Sequence, residues 1–188
     1  MKRSFAALFC ILLAAASLSA HAQVVPSATG RQFSLTAGAL ASAFQPDYGG
    51  GFVAQASSNR LYGVGAYVDV KFTRWIQLEG EGRWLRFNQF ADIHQDNYLI
   101  GPRIPIHRFW RATPYGKVLI GYGKMNFEYG EVYGRFTDIA YGGGVDVKLT
   151  RRISLRAIDF EYQQWPQWIN NQQLKPYGAS VGLGYKIF

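Results

Sequence analysis

Glu79 and Glu81 stand two residues apart, so an extended strand places both carboxylates on one face. Paired carboxylates serve acid–base catalysis when their surroundings pull their protonation states apart. With Arg83, Arg103 or Lys117 opposite them, the same groups instead form a buried polar plug, and we take this as the primary reading. His21 lies in an amino-terminal leader, which leaves His94 in a polar stretch and His107 near a turn. Their flanking strands put them at opposite ends of the fold, which argues against a shared metal site. Asp92 lies close to His94, where an acid and an imidazole are ordinary loop residues. No H-E-x-x-H, G-x-S-x-G or phosphate-loop spacing occurs. The residues therefore point to no catalytic group, no metal and no cofactor.

The elements that position these residues are strands. From Ile76 to Arg86 the chain alternates, with Ile76, Leu78, Gly80, Gly82 and Trp84 on one face and Gln77, Glu79, Glu81 and Arg83 on the other. Leu85 and Arg86 reverse the pattern at its end. The same period predicts eight strands, over 31–44, 61–72, 76–86, 98–107, 114–123, 136–149, 153–163 and 177–188. In the seventh, Ile153, Leu155 and Ala157 share parity with Asp159 and Glu161, so one extra residue is needed. We place a β-bulge near 157–159, most simply at Ile158. Long connections (45–60, 88–97, 124–135 and 164–175) alternate with short ones (73–75, 108–113 and 150–152). This rhythm fits an all-β, eight-stranded antiparallel up-and-down barrel with loops at one rim and turns at the other.

Residues 1–22 read as a cleaved signal peptide. Lys2 and Arg3 precede an apolar run from Phe5 to Leu18, and Ala20-His21-Ala22 fits the cleavage site. The barrel domain is then 23–188. The only cysteine, Cys10, lies in the leader, which excludes disulfides and thiol chemistry from the barrel. Loss of Lys2 and Arg3 takes the formal charge from +8 to +6, and for an exported chain the natural counterpart is an anionic lipid head group rather than nucleic acid.

The barrel's polar faces carry Asp69, Glu79, Glu81, Asp138, Asp146, Asp159 and Glu161, matched in number by Lys71, Arg83, Arg103, Lys117, Lys148, Arg156 and Lys186. A soluble barrel would show these charges to water and bury its apolar side chains. A membrane barrel inverts the arrangement. The equal numbers of acids and bases favour inversion, because an unpaired charge in a closed interior is costly. So do the glycines on the polar faces (Gly63, Gly65, Gly101, Gly121, Gly142, Gly144, Gly182 and Gly184) and the aromatics near strand ends, which suit interfacial girdles. Trp75, Trp84, Trp110, Trp165 and Trp168 are assigned to those girdles. Trp165 and Trp168, with Tyr129 and Tyr133, are alternatively exposed loop aromatics of the kind used in binding. Each short turn carries arginine: Arg74, then Arg108 and Arg111, then Arg151 and Arg152. These either hold phosphates at the lipid boundary or reflect ordinary turn polarity.

Gly63-Val64-Gly65-Ala66-Tyr67-Val68-Asp69-Val70, Asp159-Phe160-Glu161-Tyr162 and Gly182-Leu183-Gly184-Tyr185-Lys186-Ile187-Phe188 resemble the eight-stranded outer-membrane barrels of the OmpA transmembrane-domain and OmpX type. The resemblance spans 23–188. It implies a Gram-negative-type outer membrane, contact with its lipids, and recognition of Phe188 by the barrel-assembly machinery. The family places an aromatic two residues before the terminal Phe, where this chain has Lys186. Lipid A deacylases of this fold use a His and a Ser two residues apart, a spacing absent at His94 and His107. Palmitoyl-transferring barrels use His, Asp and Ser near the outer rim, the region of Asp92 and His94. The expected function is a non-catalytic scaffold that displays four loops to an extracellular ligand. A narrow ion channel is the alternative, and a lipid-modifying enzyme is the less favoured third reading.

Overall fold

The computed structural model describes residues 33–46, 60–73, 75–88, 94–126, 133–166 and 174–188. Residues 1–22, expected to be a signal peptide, and Arg74, Asp92, Tyr129 and Trp168 lie outside them. The strands are β1 (Ser34–Gln45), β2 (Leu61–Lys71), β3 (Gln77–Phe87), β4 (His94–Pro105), β5 (Ala112–Asn126), β6 (Tyr133–Lys148), β7 (Ile153–Gln164) and β8 (Tyr177–Lys186). Each pairs antiparallel with its chain neighbour, and β1 pairs with β8 from Thr36↔Lys186 to Gln45↔Tyr177, which closes the barrel. Closure removes the unpaired edges that an open sheet would present.

The alternation takes the inverted sense. Ile100, Ile104 and Leu183 are 53%, 54% and 57% exposed on the outer wall, whereas Glu79 and Arg83 are fully buried inside. In water such a wall would be an aggregation surface; in a bilayer it is the surface that the solvent requires.

The bulge falls within 157–159 as expected, but at Ala157 rather than at Ile158. Val145 pairs with Ile158 and Asp146 with Arg156, so Ala157 is the inserted residue. Ala157 and Ile158 are both exposed, and Arg156, Asp159 and Glu161 all turn inward. The extra residue thus reconciles an apolar outer face with a charged inner one.

Several boundaries differ from the sequence reading. β4 starts at His94, β5 runs on to Asn126 and β6 starts at Tyr133, so three stretches assigned to loops are strand. Gln95, Asp96 and Asn97 pair with Met125, Lys124 and Gly123 on one side and with Leu85, Trp84 and Arg83 on the other. Polarity mimics a loop here because the barrel's interior accepts hydrogen-bonding side chains. β8 ends at Lys186 rather than running to Phe188, and Phe188 beyond it is exposed.

Candidate functional site: the charged lumen

Toward the loop end the interior holds an apolar cluster of Phe44, Leu61 and Leu85. The reversal at Leu85 and Arg86 is thereby explained: Leu85 joins this cluster, and Arg86 reaches outside to Asp96 with an Nη2–Oδ2 distance of 2.6 Å. Next comes a layer of amides. Asn97 Nδ2 donates to Asp138 Oδ2 at 2.5 Å and to Gln163 Oε1 at 3.2 Å, and Gln95 Nε2 donates to the same Gln163 oxygen.

Below it lie the ion pairs. Arg83 forks onto Glu161, with both Nη–Oε distances 3.1 Å, and also meets Glu81. Lys117 Nζ sits at the centre, donating to Glu79 at 3.0 Å, Glu81 at 3.0 Å and Asp159 at 2.7 Å. Glu161 lies 3.1 Å from the same nitrogen. An ammonium has three protons, so this fourth contact is Coulombic only. Arg156 spans Asp69 at 3.1 Å, Glu79 at 2.9 Å and Asp159 at 3.4 Å. Arg103, nearest the turn end, holds Asp69 at 2.7 Å and also bonds Asp146. The strands bring together every charge that sequence parity placed inside at these depths. Glu79 and Glu81 are fully engaged by cations, as a plug requires.

The even match of acids and bases does not carry into the plug. Among the described residues, Asp69, Glu79, Glu81, Asp138, Asp146, Asp159 and Glu161 share the inner lumen with no cations besides Arg83, Arg103, Lys117 and Arg156. Lys71, Lys148 and Lys186 occupy the last inward positions of β2, β6 and β8 and line a vestibule of about 430 Å³ at the turn end. Parity identifies a residue's face but not its depth, so the rim lysines were counted with the interior.

Tyr67 and Tyr115, on the polar faces of β2 and β5, also belong to this centre. The Arg156 guanidinium carbon lies 3.7 Å from the Tyr67 ring centroid, and that of Arg103 lies 3.6 Å from the Tyr115 centroid. An aromatic face over a desolvated guanidinium replaces part of its hydration. Glycines make space for the rings: a Cβ at Gly144 would stand 2.7 Å from the Tyr115 hydroxyl, and one at Gly184 would stand 2.5 Å from that of Tyr67. Parity was the available signal, since Tyr67 shares a face with Asp69 and Tyr115 with Lys117.

Among the assigned girdle residues, Trp75 and Trp110 are exposed at the turn end. Trp84 lies on the outer wall at the loop end, and its Nε1 donates to the Tyr98 hydroxyl at 3.0 Å. Trp165 requires correction. It is fully buried and stacked on Phe136 at 5.9 Å, so it serves neither an interfacial girdle nor an exposed loop. A bridge to Leu174 prolongs the β7–β8 hairpin and keeps Trp165 in parity with Glu161 and Gln163, which points it inward. His94 opens β4 at the loop end, and His107 is exposed in the turn beyond its other end.

A closed barrel with buried ion pairs and an apolar outer wall is a transmembrane β-barrel. Residues 9–186 match the family of the outer membrane protein beta-barrel domain; the chain belongs to it, and its place is the outer membrane of a Gram-negative-type envelope. Comparison with curated protein sequences returns no match. Similar solved structures include neisserial surface protein A (TM-score 0.58, 12% identity, covering 81% of this chain and 96% of that one). The amino-terminal barrel domain of Pseudomonas aeruginosa OprF (0.53, 11% identity, 83% and 100% covered) and Pseudomonas aeruginosa OprG (0.53, 12% identity, 82% and 95% covered) are also similar. These likenesses extend the shared fold to this chain and no further.

Proposed function

We propose that the protein is a non-catalytic outer-membrane scaffold whose four long connections display an interaction surface outside the cell. The plug carries this reading. Arg83, Lys117 and Arg156 fill the lumen cross-section with side chains that have no solvent exposure, as the small interior of an eight-stranded barrel leads one to expect. The histidines at opposite ends, and the engagement of Glu79 and Glu81 by cations, support the absence of catalysis. Planar-bilayer recording of the reconstituted chain is the test: no steady openings are expected, and steady openings would overturn the plugged scaffold.

A narrow channel is the second reading. It is favoured by the vestibule, which opens the turn end of the lumen down to Asp69, Arg103 and Asp146. Catalysis is addressed by incubation with labelled lipid A or phospholipid, where turnover abolished by His94→Ala would refute the non-catalytic reading. Export through a cleaved leader and assembly through Phe188 complete the proposal. Phe188 stands exposed just beyond the paired end of β8, accessible to an assembly factor.

A further inference from the structure

The turn-side vestibule is chemically distinct from the plug that forms its floor. Its cations come from alternate positions around the barrel: Lys71 from β2, Arg108 from the turn after β4, Lys148 from β6 and Lys186 from β8. The odd strands supply neutral hydrogen-bonding groups between them, Ser34 from β1, Gln77 from β3, Thr113 from β5 and Ser154 from β7. The tripeptide Asp-Val-Lys occurs at 69–71 and again at 146–148, on strands that face each other across an eight-membered ring. In both copies the acid turns down into the plug, where Arg103 bridges Asp69 and Asp146, and the lysine stays at the mouth. Among the described residues, none of the three lysines forms an ion pair, and Arg108 donates only to the Trp110 carbonyl oxygen at 2.9 Å. Counting the floor, Lys71, Arg103, Arg108, Lys148 and Lys186 face only Asp69 and Asp146. Like charges held around one recess repel each other and are stabilised by a bound counter-charge.

We infer that the turn-end vestibule is a binding site for a phosphate-bearing anion. The volume of about 430 Å³ admits a group the size of a diphosphate, the cation ring supplies charge from several sides, and the interleaved hydroxyls donate to the remaining oxygens. In an outer-membrane barrel the short turns face the periplasm. The phosphate is therefore either a soluble periplasmic anion or an inner-leaflet lipid head group reaching over the rim.

Titration calorimetry of the folded barrel in neutral detergent, with inorganic pyrophosphate as the probe, tests the site. Saturable one-to-one binding is expected, weakening as salt rises from about 20 mM to about 200 mM. The Lys71→Gln/Lys148→Gln/Lys186→Gln variant should bind roughly tenfold more weakly or not at all. Arg151→Gln/Arg152→Gln, which alters the outer turn and leaves the mouth intact, should bind as the parent does. A heat-modifiable gel shift establishes that each variant is folded. If micelles doped with phosphatidylglycerol displace pyrophosphate at stoichiometric amounts, the head group is the occupant; if they do not, it is the soluble anion, and either result supports the site. Absence of saturable binding, or equal losses in the two variants, would overturn it.

Discussion

Replacing Lys117 by Met removes one ammonium and leaves Glu79, Glu81, Asp159 and Glu161 to Arg83, Arg156 and, at 3.5 Å from Glu79, Arg103. The side chain of Met matches that of Lys out to Cε, so most of the stem's volume is kept and the ammonium is what is lost. At an effective dielectric of about 20, one ion pair at ~3 Å is worth roughly 5 kcal/mol before desolvation. Lys117 makes three such pairs by hydrogen bonding and a fourth by proximity, while the four carboxylates repel one another. Desolvation offsets most of that gain in the intact protein but is not recovered when one partner is removed. The expected loss is therefore that of a broken buried pair, about 3–5 kcal/mol.

Urea unfolding from phospholipid vesicles, followed by tryptophan fluorescence and by heat-modifiable mobility, measures this loss. Glu81→Gln alone should also destabilise, because Arg83 and Lys117 both lose a partner. Combined with Lys117→Met, it removes one of the stranded carboxylates, and the double variant should be more stable than the sum of the singles by about 0.5–3 kcal/mol. A Lys117→Met barrel within about 0.5 kcal/mol of the parent, or strict additivity in the cycle, would refute the reasoning.

Other perturbations probe the wall and the bulge. Ile120, 55% exposed near the middle of β5, should cost about 2–4 kcal/mol when changed to Arg if it faces the bilayer midplane; an unchanged urea midpoint in vesicles would contradict a lipid-facing wall. Deleting Ala157 removes the inserted residue and leaves Arg156, Ile158 and Asp159 in plain alternation, so Arg156, Asp159 and Glu161 still face inward. The expected result is a barrel that keeps its heat-modifiable folded band, and loss of that band would sink the parity argument.

Strand parity made the architecture legible. Ile76 to Arg86, read two residues at a time, gives β3 and its charged face, and the conflict between Ala157 and Asp159 requires a bulge within 157–159. Termini were less legible, because the lumen accepts polar side chains. Gln95 and Asn97 look like loop residues until their amides are seen bonding Gln163 and Asp138 across the barrel. Trp165 was lost for the complementary reason: the strand was ended at Gln163, where a polar run begins, and one more step of parity would have turned the indole inward.

Depth is the coordinate that parity lacks, and depth sorts the charges by function. Asp69 and Lys71 share a face, as do Asp146 and Lys148, yet one rise of ~7 Å separates each acid from its lysine. That step takes the acid into a desolvated layer, where it must be paired, and leaves the lysine at the mouth, where water or a ligand can compensate it. The equal sums of acid and base on the strands' polar faces thus conceal an unequal distribution: an acid-rich plug held by Arg83, Arg103, Lys117 and Arg156, and a basic mouth beneath it. The plug accounts for a closed barrel. The mouth's cations do no comparable structural work, and so they are where binding is best sought.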